Sequence, residues 1–230
     1  MDFSAYQPAA HVLDRLRRVD FVAVVGPTAV GKTTVIKAAM ARDPAIHLVL
    51  NNTTRAPRPG EQEGVDYQFR SREEMLARIK RGEYAQVAPS VLGEIYATAP
   101  EGYATSGVAV MAVLAQAMGH FRALPFKRCS AIFMLPPDWE TWQRRLVAHG
   151  FTPEHLKRRL AEAARSLAFA AEDQEVKILI NQNLDLAAED FITLAHGRPL
   201  SARLQADQSR ARRIVADLLD HLRTSAPTRP

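Results

Sequence analysis

The chain of 230 residues holds a single cysteine, Cys129, so no disulfide can close within it. No apolar run approaches the roughly 18 residues that a membrane span needs. The stretch from Met1 to Arg18 places Asp2 and Asp14 in a mixed segment without the apolar run of a signal peptide. These absences predict a cytoplasmic protein with no membrane partner. The histidines, His11, His47, His120, His149, His155, His196 and His221, are scattered without metal-ligand spacing, which argues against a zinc site. No internal repeat is present. Aromatic residues make up only 7% of the chain, and none interleave with the basic residues of the last segment, so nucleic acid is not the partner indicated. The net charge of +5 is modest and unevenly placed: from Arg198 onward, Arg203, Arg210, Arg212, Arg213, Arg223 and Arg229 face only Asp207, Asp217 and Asp220. That segment reads as a solvated basic helix, although positive charge also suits an enzyme of phosphorylated substrates. The sequence leaves the oligomeric state open.

What is present is a phosphate loop. Gly26-Pro27-Thr28-Ala29-Val30-Gly31-Lys32-Thr33-Thr34 has the spacing G-x-x-x-x-G-K-[ST] and directly follows the apolar run Phe21–Val25. Glycines let the backbone curl so that successive N–H groups face a polyphosphate, and the following helix start adds a favourable dipole. Gly26, Thr28, Ala29, Val30, Gly31 and Thr34 are the expected loop contacts. Lys32 is expected to reach the β- and γ-phosphates of ATP, and the Thr33 hydroxyl to ligate Mg²⁺.

The runs Phe21–Val25, His47–Leu50, Val108–Leu114, Ala131–Leu135 and Val176–Ile180 read as strands. Helical patterns lie between or after them, near Thr33–Arg42, Arg72–Arg81, Trp139–Ala148, Pro153–Ala171 and Leu186–His196. Such alternation predicts an α/β fold, a P-loop NTPase core with a mainly parallel sheet covered on both faces. Residues 1–19 form an N-terminal extension and 20–197 the domain. Within it, 51–103 is polar, rich in Gly and Pro, and reads as an inserted lobe; 144–159 carries a dense arginine set. Residues 198–230 form an appended helix with an apolar stripe of Ile214, Leu218, Leu219 and Leu222, ending in a disordered tail at Thr224–Pro230.

A second motif narrows the chemistry. Thr53-Thr54-Arg55-Ala56-Pro57-Arg58-Pro59-Gly60-Glu61 is followed by Gly64-Val65-Asp66-Tyr67-Gln68-Phe69. Arg55 and Arg58 sit close together in a proline-stiffened loop, and Tyr67 follows a glycine turn. Guanidinium forks bind phosphate oxygens bidentately, and a phenol adds a further contact. The phosphate loop alone also resembles that of tRNA prenyltransferases, but their D-S-x-Q-x-Y element is missing. The second motif instead resembles the acceptor lobe of the guanylate kinase family, T-T-R-x-P-R-x-G-E-x-x-G-x-D-Y-x-F, at every fixed position. The likeness extends over Ser71–Met75, Ile132–Pro137 and Ile178–Asn181, and so over roughly residues 20–197.

The resemblance implies an acceptor-nucleotide lobe at 51–103 and a small lid at 144–159 over a P-loop core. It implies ATP and a nucleoside monophosphate, GMP or dGMP, as substrates of an Mg²⁺-dependent kinase. Arg145 and Arg159 would join Lys32 in catalysis, Asn181 would lie near the adenine of ATP, and Asn51, Arg55, Arg58, Tyr67, Gln86, Tyr96 and Thr98 would hold the acceptor. The chain departs from the family pattern at several places. Gln86 stands where the family reads guanine with a glutamate. Tyr96-Ala97-Thr98 carries alanine for a glycine, and Asn51 replaces a serine. Ala112 and Leu114 replace both aspartates of L-D-x-D-x-Q-G, leaving Glu94 or Glu101 as conceivable substitutes. Two alternatives therefore stand beside the nucleotide kinase: a kinase for a different phosphorylated acceptor, and a non-catalytic guanylate kinase-like binding module.

Overall fold

The computed structural model describes residues 3–58, 60–90 and 93–224. All five strands expected from the apolar runs form, as β1 (Asp20–Val25), β2 (Ile46–Leu48), β7 (Val108–Ala112), β8 (Arg128–Leu135) and β9 (Lys177–Ile180). They make one five-stranded sheet in the order β2-β7-β1-β8-β9, with β8 and β9 in parallel register. The fully buried run from Phe21 to Val25 explains why this segment is continuously apolar rather than alternating. The third expected strand stops at Ala112, and Ala115–Ala117 turns as a short 3-10 segment leading into α4 (Met118–Ala123).

Chain contacts divide the molecule into two compact units. One comprises Met1–Phe21, His47–Met111 and Gly119–Cys129. It holds a four-stranded sheet ordered β4-β3-β6-β5, built from β3 (Asn51–Thr53), β4 (Gln68–Phe69), β5 (Gln86–Pro89) and β6 (Ile95–Thr98). Helix α3 (Arg72–Lys80) is capped by Ser71, whose side chain accepts the Glu74 N–H. Met75 of this helix packs with Tyr84, Val87, Ile95, Ala97 and Ala99. A second cluster stacks Phe21 on Phe121 and Phe126, with Tyr103 edge-on.

The N-terminal segment is part of this unit. It contains α1 (Ala10–Leu16), which the sequence reading did not predict, with Val12 and Leu16 fully buried. Phe3 and Tyr6 pack against the Met75 cluster.

The other unit comprises Val22–Ile46, Ala112–Met118 and Ser130–Pro230. It contains α2 (Lys32–Arg42), α5 (Trp139–Ala148), α6 (Pro153–Glu172), α7 (Leu184–Ala195) and α8 (Ala202–Thr224). Asp138, Thr152 and Asn183 cap α5, α6 and α7 with their side chains. The arginine-rich segment 144–159 consists of the end of α5, a short connection and the start of α6.

The appended helix forms as expected, but its buried face is Leu204, Ala211, Ile214, Val215 and Leu218. Leu219 and Leu222 are only partly covered. Its arginines are not simply solvated: Arg203 pairs with Asp190 and Asp207, and Arg212 donates to backbone carbonyls. Thr224 closes the helix, and the rest of the expected disordered tail lies outside the described residues. Among the described residues, no helix is long and apolar enough to cross a membrane.

Candidate functional site

The phosphate loop joins β1 to α2. Gly26 adopts φ 145, and a side chain there would collide with the Met134 carbonyl. Gly31 at φ 91 is the N-cap of α2; a Cβ there would lie 2.6 Å from the Asn181 amide nitrogen. Ala29, with φ 63, is the one non-glycine residue with positive φ among those described, so strain is concentrated in this loop. Unlike α3, α5, α6 and α7, α2 starts with no side-chain cap and no acidic residue in its first turn. Its leading N–H groups are left for an anion.

Lys32 donates to the carbonyls of Gly26 at 2.6 Å and Pro27 at 2.9 Å. Burial lowers its pKa to about 8, a shift that Glu162 opposes and Arg159 reinforces. Thr28 offers its carbonyl to the Trp142 indole at 2.9 Å. Thr33 and Thr34 are exposed at the helix start.

Arg145 bridges two carbonyls, Val30 at 3.3 Å and Asn181 at 2.9 Å, and burial lowers its pKa. The buried Asn181 amide donates to the Val30 carbonyl at 2.8 Å. That side chain thus braces the phosphate loop and is spent on backbone. Arg159, in the second turn of α6, pairs with Glu162 at 3.0 Å.

In the unit that holds the four-stranded sheet, strand register decides which residues share a face. Asn51 and Gln86 both pair with Thr98, while Thr53 and Ala88 both pair with Tyr96. Paired residues project to the same side of a sheet, and residues two apart along a strand keep that side. Asn51, Thr98 and Gln86 therefore form one cross-strand row, with Thr53, Tyr96 and Ala88 as the next row on the same face. The opposite face carries Val87 and Ala97 into the Met75 cluster. Ala97 sits in regular strand, so the expected glycine position tolerates its Cβ.

Arg55 stands at the Tyr96 end of this face. Its guanidinium donates twice to Glu61, at 2.9 and 2.8 Å, and to the Tyr96 hydroxyl at 3.1 Å. It also lies 5.1 Å from the Tyr67 ring centre and 5.9 Å from that of Phe69. Burial works against the charge of Arg55, but the bonds to Glu61 and Tyr96 outweigh it. Burial would likewise raise Glu61, yet the Arg58 N–H and the Arg55 guanidinium hold its carboxyl below the ordinary range. Arg58 is exposed, with its backbone N–H donating to Glu61 at 2.8 Å.

At the other end of the row, Gln86 is buried at 8% exposure. Thr98 is fully buried and accepts the Tyr103 hydroxyl at 2.9 Å.

Arg55, Tyr67, Tyr96, Asn51, Thr98 and Gln86 are thus gathered in one unit, and Lys32, Thr33, Arg145 and Asn181 in the other. Glu61, Phe69 and Trp142 contribute to these arrangements without having been singled out. Glu61 and Phe69 had a signal in the sequence, as fixed positions of the double-arginine motif; Trp142 had none beyond its helix. Ala112 and Leu114 are exposed, Leu114 at 56%. Neither proposed substitute carboxylate stands idle: Glu101 pairs with Arg78, and Glu94 bonds Ser90. Glu83, next to the base-reading position, pairs with Arg81 and Arg78.

The parallel sheet and the uncapped, glycine-bounded loop place the chain in the class of P-loop nucleotide-binding proteins. The guanylate kinase family profile matches residues 18–194, and the chain belongs to that family. A guanylate kinase of Mycobacterium sp. (strain MCS) is 36% identical over 183 residues, which cover 76% of this chain and 90% of the relative. That of Nocardia farcinica is 35% identical over 190 residues, 80% of this chain and 96% of the relative. That of Thiobacillus denitrificans is 33% identical over 186 residues, 79% of this chain and 88% of the relative. The crystal structure of guanylate kinase from Anaplasma phagocytophilum shares the fold. It gives a TM-score of 0.56 at 24% identity and covers 92% of this chain and 97% of that one.

Proposed function

We propose that the protein transfers the γ-phosphoryl group of ATP to GMP. Family membership supplies the reaction class, and the observation that carries the reading is the acceptor face. A clamped arginine and two phenols stand at one end of a polar row, and a buried amide stands at the other. The phenol and guanidinium end suits a monophosphate, with Arg58 as an exposed second cation. The row of Asn51, Thr98 and Gln86 suits a base edge.

In the nucleotide unit, the loop N–H groups and the α2 start receive the triphosphate. Lys32 exchanges its two carbonyl partners for phosphate oxygens, and Arg145 and Arg159 add charge as negative charge develops. Mg²⁺ arrives as part of the Mg·ATP substrate. Among the described residues, no group of His, Cys, Asp or Glu could hold a metal by itself. The fitting donor is the exposed Thr33 hydroxyl, with phosphate oxygens and water completing the shell, which Mg²⁺ accepts readily. No general base is required, because the attacking acceptor oxygen is already anionic.

A second reading, an acceptor with a different base, is favoured by Gln86. Guanine presents two adjacent donors, whereas an amide offers one acceptor and one donor group. The test is Mg·ATP turnover, read as ADP formed, against GMP, dGMP, IMP, AMP, UMP and CMP. GMP or dGMP as the preferred acceptor supports the first reading, and a preference for AMP supports the second. ATP binding without turnover of any of them would favour a binding module over a nucleotide kinase.

A further inference from the structure

Two stretches lie outside the family match at residues 18–194, the N-terminal segment and α8. Each repeats the same device. In the acceptor unit, the Tyr6 hydroxyl donates to the Tyr84 carbonyl at 2.7 Å and accepts the Tyr84 N–H at 2.8 Å. In the nucleotide unit, the Gln208 amide donates to the Ile178 carbonyl at 2.6 Å and accepts the Ile178 N–H at 2.8 Å. A side chain thereby satisfies both backbone groups of one residue, as a neighbouring strand would.

The placement of these contacts gives them a role. Tyr84 comes two residues before Gln86, and Ile178 three before Asn181. An arginine doubles each attachment. Arg15 donates to the carbonyls of Pro100 at 2.6 Å and Tyr103 at 3.0 Å, and the Tyr103 hydroxyl holds Thr98. The N-terminal segment therefore reaches two neighbours in the acceptor row, Gln86 and Thr98. Arg212 donates to the carbonyls of Asp173 at 3.2 Å and Val176 at 3.4 Å, just ahead of β9. Strand β9 ends beside Asn181, whose amide braces Val30 of the phosphate loop. β9 is also the edge of its sheet, so Gln208 covers backbone groups that no strand pairs.

We propose that these two segments are positioning elements, each dedicated to one substrate: Tyr6 and Arg15 set the acceptor row, and Gln208 and Arg212 set the phosphate loop. The inference rests on the proposed kinase reading. Neither segment touches substrate; each fixes the backbone on which binding side chains stand.

The test is a crossed pair of variants of the full chain, with the dissociation constants of Mg·ATP and of GMP measured separately by titration calorimetry. Losing a hydrogen bond that leaves partly buried groups unpaired predicts that Tyr6→Phe weakens GMP about five- to tenfold and leaves Mg·ATP within about twofold. Gln208→Leu should do the reverse. Both variants should melt at lower temperature than wild type, so the crossed selectivity is the informative readout. A purely structural role would weaken both ligands together or neither, and either result overturns the proposal. If Tyr6→Phe is insoluble, Arg15→Lys keeps the charge but loses the fork on two carbonyls, and the same GMP-only loss is expected. A wild-type chain that binds neither nucleotide overturns the kinase reading and this inference with it. A wild type that binds both, with uncrossed variants, overturns the inference alone.

Discussion

The phosphate loop and the acceptor face hold their cations in opposite ways. In the loop, Lys32 and Arg145 are satisfied by backbone carbonyls, and burial depresses the pKa of both. On the acceptor face, Arg55 is locked by a bidentate carboxylate and a phenol, and its charge is reinforced. Neutral carbonyls are partners that a phosphate can displace, because it offers what they lack, a full negative charge. A carboxylate clamp is not given up so readily. It fixes the guanidinium plane before any ligand arrives, at the cost of cancelling part of its charge. On the proposed kinase reading, the loop is accordingly a site that rearranges on binding, and the acceptor face one that is organised in advance.

The largest effect should come from breaking the loop's half of this contrast. Lys32→Met removes the cation that exchanges carbonyls for phosphate, and turnover should fall by about 10³-fold, in the range for losing a charged transition-state donor. The folded structure and GMP binding should survive; circular dichroism and GMP titration check both. Turnover unchanged from wild type would remove Lys32 from the chemistry.

The acceptor half breaks next. Arg55→Ala leaves the partly covered Glu61, at 19% side-chain exposure, without its ion-pair partner. GMP affinity should fall roughly a hundredfold while Mg·ATP affinity holds, as expected when one partner of a hydrogen-bonded charge pair is truncated. Arg55→Lys is the sharper control. It keeps the charge but cannot hold Glu61, the Tyr96 hydroxyl and the Ala56 carbonyl at once in one plane, so a large loss with lysine identifies preorganisation, whereas recovery identifies charge alone. Equal losses for GMP and ATP would contradict a site confined to the acceptor face.

Gln86→Glu alters the far end of the row and should act in the opposite direction. A carboxylate accepts from both guanine donors, so the preference for GMP over AMP should rise about tenfold. The same substitution leaves the loop untouched, and Mg·ATP affinity is the internal control. An unchanged preference would place base reading elsewhere than the Asn51, Thr98 and Gln86 row.

The five core strands were legible in the sequence because buried parallel strands are continuously apolar, as Phe21–Val25 is. The phosphate loop was legible because glycines and a lysine at fixed spacing have few other uses. The double-arginine motif pointed to an acceptor site, but the grouping of Asn51, Thr98 and Gln86 needed the strand register, which no local pattern encodes. Helix α1 escaped because it is short and its N-cap, Ala9, offers no side-chain cap. The attachments of Tyr6 and Arg15 span 78 or more residues, and long-range pairing leaves no periodic trace. Arg212 looked solvated because an arginine that caps carbonyls and one that faces water have the same spelling on a helix.

The smallest effect opposes the two units across pH. Lys32 has a folded pKa lowered from 10.5 to about 8, so between those values the unfolded chain binds the extra proton. Stability linked to Lys32 therefore rises as pH climbs from about 8, and is flat below. Glu61 has a folded pKa below its unfolded 4.5, held there by Arg58 and Arg55 against burial. Its stabilisation is complete above the unfolded value and is lost as pH falls through the folded one. Thermal denaturation of wild type, Lys32→Met and Glu61→Gln across this range separates the two. The difference between wild type and Lys32→Met should move in favour of wild type on the alkaline side alone. The advantage of wild type over Glu61→Gln should shrink on the acid side alone. Parallel curves for Lys32→Met and wild type above pH 8 would mean that the Gly26 and Pro27 carbonyls fully offset burial, leaving the ammonium as well solvated in the loop as in the unfolded chain.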